Sequence, residues 1–307
     1  MWTEAELVSE TTPVIDPATR LGAVHLTVAD LDKQIAFHQD VLGFKLHWRA
    51  GAEAGLGAGG EDLLRFSELK GAQRARRATG LYHTAILVPS KWELAQLLNK
   101  IAQTHTHIQG MTNHGTHLAI YLPDAEGNGL ELAWDFPREK WQPIADALRR
   151  GDMDTMMRAS GPLEPEELFA ELEHNDTPWA RLNPQTRVGH VHLHVADLHA
   201  TKQFYHDVLG FDTMIDSDQM GAAFFSAGGY HHHIGGNVWH GVGAPPPPPD
   251  ATGLRSFTVV LPDEAELGRV TERIQRAGIA TQPTPDGVLV RDPSQNGVLL
   301  VETTQRH

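Results

Sequence analysis

The chain contains no cysteine, which excludes disulfides, thiolate-ligated metals and cysteine nucleophiles. Positive charge is also scarce: 25 lysines and arginines stand against 39 aspartates and glutamates, a formal net charge of −14. No basic patch or basic helix is available to neutralise phosphates, so neither nucleic acid nor an anionic membrane surface is an expected partner. A run of about 18 apolar residues is missing, and so is a signal-peptide pattern, so the expectation is a soluble cytoplasmic protein. Histidine is what the chain has in excess, with 19 residues, many in strand-like runs where a solvated surface role is less automatic.

The stretch LGAVHLTVADLDKQIAFHQDVLGF from Leu21 to Phe44 returns without a gap, 167 residues later, as VGHVHLHVADLHATKQFYHDVLGF from Val188 to Phe211. In each copy an alternating strand pattern yields at Ala-Asp-Leu to an amphipathic helical pattern, which ends at a glycine able to supply the left-handed cap. A chain of 307 residues, 40% of them hydrophobic, can bury one large core or two medium ones, and the duplication favours two. A second, weaker duplication pairs Gly80-Leu81 with Gly253-Leu254, Val88-Pro89 with Leu261-Pro262 and Asn128-Gly129 with Asn296-Gly297.

The chain therefore reads as four units of strand-helix-strand-strand-strand, arranged as 19–137, a polar connector at 138–182 with a helix at Pro165–Glu173, and 183–307. In the first unit the Gly/Ala-rich stretch 50–60 reads as a turn, and the proline run 245–249 as a stiff spacer between the third and fourth units.

Aligning the first strand of each unit puts Ala23, His83, His190 and Ser256 at one position, and aligning the ends of the second and fourth units puts Glu131 opposite Leu299. Two neutral imidazoles and one carboxylate on rigid strands suit a divalent iron with positions left for substrate and oxygen. The bland reading makes His83 and His190 strand histidines satisfied by backbone carbonyls and Glu131 a solvated side chain. Against it stands the asymmetry: the duplicates lack the metal-capable groups. His231, His232 and His233 fall in the fourth strand of the third unit, where alternation sends His231 and His233 to one face and His232 to the other. Any of them near the metal could move a proton at neutral pH. Tyr121, ten residues before Glu131, and His114 share the unit of His83 and Glu131 and could stabilise developing negative charge. His192 and His194 share a strand face with His190.

The motifs GLYHTAILVP, YLPDAEGNGLELAWDFPREKW, VGHVHLHVADL and SAGGYHHHIGGNVW resemble the vicinal oxygen chelate superfamily of glyoxalases, bleomycin-resistance proteins and extradiol dioxygenases, and within it the catechol 2,3-dioxygenase family. The resemblance covers about residues 20–303. It implies an α+β fold of four βαβββ modules, two per domain, with mostly antiparallel curved sheets. It also implies ring cleavage of a catechol-like diol beside its two oxygens, with both atoms of O2 inserted, at Fe(II) or sometimes Mn(II). On this pattern His83, His190 and Glu131 are the ligands, Tyr121 takes the family's tyrosine position, His114 is a looser match, and one of His231–His233 is the acid/base histidine.

Familiar two-domain members assemble the site from modules three and four, whereas Ser256 and Leu299 leave the fourth module here without ligands. Modules two and three are therefore expected to face each other around the metal. The rival set is His190, one of His231–His233 and Glu302. A glyoxalase-like or isomerase-like metalloenzyme and a metal-free binding or resistance protein are the competing functional classes, and the oligomeric state is open.

Overall fold

The computed structural model describes residues 14–173, 175 and 177–303. Its four units each contribute four strands: β1 Arg20–Val28, β2 Lys45–Ala50, β3 Glu53–Gly57 and β4 Asp62–Glu68 in the first; β5 Gly80–Leu87, β6 Gly110–Asn113, β7 His117–Pro123 and β8 Gly129–Asp135 in the second; β9 Arg187–His194, β10 Asp212–Ser217, β11 Ala222–Ser226 and β12 Ile234–Asn237 in the third; and β13 Ala251–Leu261, β14 Thr281–Thr284, β15 Gly287–Arg291 and β16 Gly297–Glu302 in the fourth. One helix follows the first strand of each unit: α1 Leu31–Asp40, α2 Lys91–Gln103, α6 Leu198–Lys202, which continues as a wider π turn, and α7 Glu264–Arg276. The side chains of Asp30, Ser90, Asp197 and Asp263 each accept a backbone N–H three residues on, which is why all four helices start where they do.

The strands form two nine-stranded sheets. One has the order β14-β15-β16-β13-β1-β4-β3-β2, with Gln73–Arg74 beside β13; the other runs Gly161–Pro162, then β6-β7-β8-β5-β9-β12-β11-β10. Units one and four thus share a sheet, and units two and three share the other. Each sheet takes one unit from 19–137 and one from 183–307, so that division of the sequence is not a division of the sheets. Pairing is mostly antiparallel, with one parallel pair per unit where the first strand meets the last. The proline run carries the chain from one sheet to the other.

Two expectations need correction. Stretch 50–60 is not simply a turn, because β3 lies within it. Its glycines mask it as a strand, and they are there because neighbouring rings cross them: a Cβ at Gly55 would lie 2.2 Å from Trp48 Nε1, and one at Gly57 2.4 Å from His47 Cε1. The connector is also more than a polar spacer. Besides the expected helix, α5 Pro165–Leu172, it forms α3 Arg138–Arg149 and α4 Met153–Ala159, and α3 buries Trp141, Ala145, Ala147 and Leu148. The interior Pro143 and the low apolar content of α3 make it read as polar connector, although its few apolar residues fall on one face. No described helix is long and apolar enough to cross a membrane.

Candidate metal centre

In the sheet shared by units two and three, β5 lies between β9, antiparallel to it, and β8, parallel to it. Ala85 of β5 is in register with both His190 and Glu131, and His83 sits two residues before Ala85 on the same face. Ala85 has almost no side chain, so the three longer groups around it converge above the strand. His83 Nε2 is 3.0 Å from Glu131 Oε2 and 3.3 Å from His190 Nε2, and His190 Nε2 is 3.1 Å from the same oxygen. A triangle with these edges is one face of an octahedron whose centre lies about 2.2 Å from each corner, a normal distance for imidazole and carboxylate ligands.

All three residues are buried, Glu131 to 1% exposure, His190 to 2% and His83 to 6%. Burial pushes the Glu131 carboxyl up, but its imidazole neighbours, His190 first and then His117 and His83, outweigh it, and the group is held well below the usual carboxylate range. Burial pushes His190 down, so it carries a lone pair rather than a charge. One negative charge and converging lone pairs, buried among protein atoms, are the donor set of a divalent cation. A buried His/His/Glu metal site is therefore present. The second glutamate oxygen is also fixed: His117 Nε2–H donates to Glu131 Oε1 at 3.0 Å, and the Thr116 hydroxyl donates to His117 Nδ1 at 2.8 Å.

Beside the triad lies a cavity of about 340 Å³. Tyr121 and His114 both line it, joined through Tyr121 Oη and His114 Nε2 at 2.8 Å. Burial, and then the charge of Glu131, push the Tyr121 phenol up, while burial pushes His114 down to about 3, so both are neutral.

His231 and His232 line the cavity too, but His233 does not, contrary to strict alternation. The triplet follows Gly228 and Gly229, both at positive φ, and precedes the first ladder residue Ile234. It is a bend, and the two-residue pleat does not apply there. His231 Nε2–H donates to Asp135 Oδ1 at 3.0 Å, whose Oδ2 accepts from Tyr230 at 2.8 Å. That leaves His231 Nδ1 to accept from His232 Nδ1–H at 3.0 Å, and His232 keeps a lone pair on Nε2. His233 Nδ1 instead accepts the Ala227 N–H at 3.2 Å. His192 packs 5.1 Å from the ring of His83, whereas His194 leaves the site to bond Asn237 and stack on His240.

Sequence reasoning missed His117, Asp135 and Tyr82. Strand alternation could have found the first two: His117 is four residues before Tyr121 on β7, and Asp135 four after Glu131 on β8, so each shares its partner's face. The rival carboxylate Glu302 is exposed on β16 in the other sheet, away from His190. That sheet repeats the arrangement, with Thr258 in register with Leu299 where Ala85 faces Glu131, and has a cavity of about 670 Å³ lined by Ala23 and Leu299 instead of ligands.

Residues 20–132 and 187–298 each match the Glyoxalase/Bleomycin resistance protein/Dioxygenase superfamily. The Catechol-2,3-dioxygenase of Bacillus subtilis (strain 168) is 38% identical over 278 residues, covering 90% of this chain and 94% of that protein. The chain belongs to this superfamily, in its catechol 2,3-dioxygenase family. Among solved structures, one from Bacillus subtilis subsp. subtilis str. 168 matches with a TM-score of 0.63 at 12% identity, covering 95% of this chain and 86% of that one. Glyoxalase I from Zea mays matches with a TM-score of 0.56 at 16% identity, covering 93% and 92%. At such identities the likeness concerns the fold alone. The family's four-module architecture is the one seen here.

Proposed function

We propose that the chain is an extradiol ring-cleaving dioxygenase that inserts both atoms of O2 into a catechol-like diol, with His83, Glu131 and His190 holding Fe(II); Mn(II) is the other ion this donor set suits. The observation that carries the proposal is the buried triad, with the three edges of an octahedral face, in a chain 38% identical to a catechol-2,3-dioxygenase. Fe(II) bound there would supply open positions at which a diol and O2 are brought together.

The protein's own groups have separable tasks. His232, presenting the Nε2 lone pair, takes the proton of a diol hydroxyl, and Asp135 holds His231 in the tautomer that orients His232. Asp135 can do so because it is ionised: burial opposes this, but the hydrogen bonds from His231 and Tyr230 hold its carboxyl below the usual range. Tyr121 and His114 place neutral hydrogen-bonding groups beside the triad, where negative charge builds up on the reacting oxygens.

Anaerobic metal analysis with oxygen uptake on catechol tests the reading. The intact protein and Glu302→Gln are expected to hold iron and give a yellow ring-opened product, and Glu131→Gln to lose both. An intact protein that takes up neither iron nor manganese and consumes no oxygen refutes it.

A further inference from the structure

The cavity beside the triad has an uneven wall. Its ionisable groups are histidines, tyrosines and Glu131, and among the described residues neither lysine nor arginine lines it. The rest of the wall is mainly Leu148, Met156, Ile215, Met220, Phe224 and Trp239. These come from α3, α4, β10, the turn after it, β11 and the segment following β12, so six parts of the chain supply apolar groups to one space.

Three wall donors that could solvate an anion are already engaged, and His192, whose Nε2 has no partner, is kept neutral by burial. The Trp239 indole N–H donates to the Met220 carbonyl at 2.9 Å, the Thr116 hydroxyl to His117, and Tyr121 is paired with His114. Tyr82, 37% exposed and edge-on to Trp239 at 5.2 Å, is the remaining phenol, and one neutral hydroxyl does not replace the hydration of a carboxylate. The fold does not impose this character. The matching cavity of units one and four is lined by Arg20, Arg65, Glu61, Asp62 and Asp286.

We infer that the substrate is a catechol carrying an uncharged, apolar substituent, and that carboxylated catechols are rejected by this wall. The inference rests on the dioxygenase reading for the diol and on the cavity lining for the substituent. At about 340 Å³ the space is at the small end of ligand pockets, which run from about 300 to 1,000 Å³, so the substituent is short or a single ring. An ionised group brought there loses its water and meets no cation, and a site of this kind separates charged from neutral side chains by at least about 100-fold.

The test compares propylcatechol with dihydrocaffeate, which share the diol and the length of the side chain and differ in the terminal carboxylate. Binding to the iron-loaded protein is read anaerobically by calorimetry at neutral pH, and turnover separately by oxygen uptake. Propylcatechol is expected to bind at least about 100-fold tighter. Met156→Arg, at a half-buried position on α4, is expected to narrow that ratio at least tenfold by giving the carboxylate a partner. Equal binding of the two diols by the intact protein, or tighter binding of dihydrocaffeate, overturns the inference. The expected binding ratio with no oxygen uptake on either diol supports the inference about the wall and sinks the dioxygenase reading instead.

Discussion

Replacing His117 with phenylalanine removes its hydrogen bonds to Glu131 and Thr116 and tests whether the outer partner of the carboxylate sets metal affinity. His117 Nε2 donates to Glu131 Oε1 at 3.0 Å while the other glutamate oxygen completes the triangle with His83 and His190. The ring lies stacked between His114, at 4.7 Å, and His231, at 4.9 Å, so a phenylalanine ring fits the same slot and the stack survives. A hydrogen bond to a charged acceptor contributes about 1.5–3 kcal/mol, and in a metal site this emerges as a loss of about 10–100-fold in affinity. Part of the loss is orientational: without His117, Oε1 is free to rotate toward the metal position and Glu131 no longer presents one defined oxygen. The assay is anaerobic competition for Fe(II) against a chelator, with circular dichroism as the check on folding. Thr116→Val, which removes only the donor to His117 Nδ1, is expected to give a smaller loss in the same direction. A folded His117→Phe protein with unchanged metal affinity would refute the reasoning, because Glu131 would then be held by the strand alone.

Three further outcomes follow from the same geometry. Alanine at Gly129 puts a Cβ 2.0 Å from the Tyr82 carbonyl, and alanine at Gly297 puts one 2.2 Å from that of Arg255. Both changes are expected to destabilise by about 1–3 kcal/mol in thermal unfolding, but only Gly129→Ala, which displaces His83, should also weaken metal binding; equal effects on metal affinity would contradict the two-sheet assignment. His233 is pushed down to about 3, mainly by burial, so its folded pKa lies below the ordinary 6.5. A depressed histidine stabilises above the unfolded pKa, and that contribution is lost as pH falls, by about 1.4 kcal/mol per unit below pH 6.5. His233→Asn, which keeps an acceptor for the Ala227 N–H, should flatten denaturant-measured stability against pH in this range, and an unchanged slope would mean His233 is protonated in the native protein. Asp135→Asn should lower turnover on catechol at least about tenfold while leaving metal affinity within about twofold, because it disturbs the tautomer of His231 and not the triad; loss of metal instead would place Asp135 in the metal site.

How far the sequence reaches is seen residue by residue. The 167-residue offset and the contrast of Ala23 with His190 and Leu299 with Glu131 were enough to name His83, His190 and Glu131 and to place units two and three together, since ligand chemistry and strand period are local properties. The helix starts at Asp30 and Asp197, marked by Ala-Asp-Leu, were equally local. The rest depended on contacts that residue spacing does not encode. Gly55 and Gly57 are strand residues only because the rings of Trp48 and His47 lie across them. The choice of His232 over His233 came from a glycine bend that breaks the pleat. The lining by Leu148 and Met156 came from connector helices whose burial depends on the sheet beneath them. The sequence by itself determined the four units and pointed to the His83, Glu131 and His190 donor set and to the pairing of units two and three. The tertiary structure decided which oxygen of Glu131 is free, which of the clustered histidines face the cavity and what closes it, because those depend on side chains brought together from distant strands and not on the order in which they are strung.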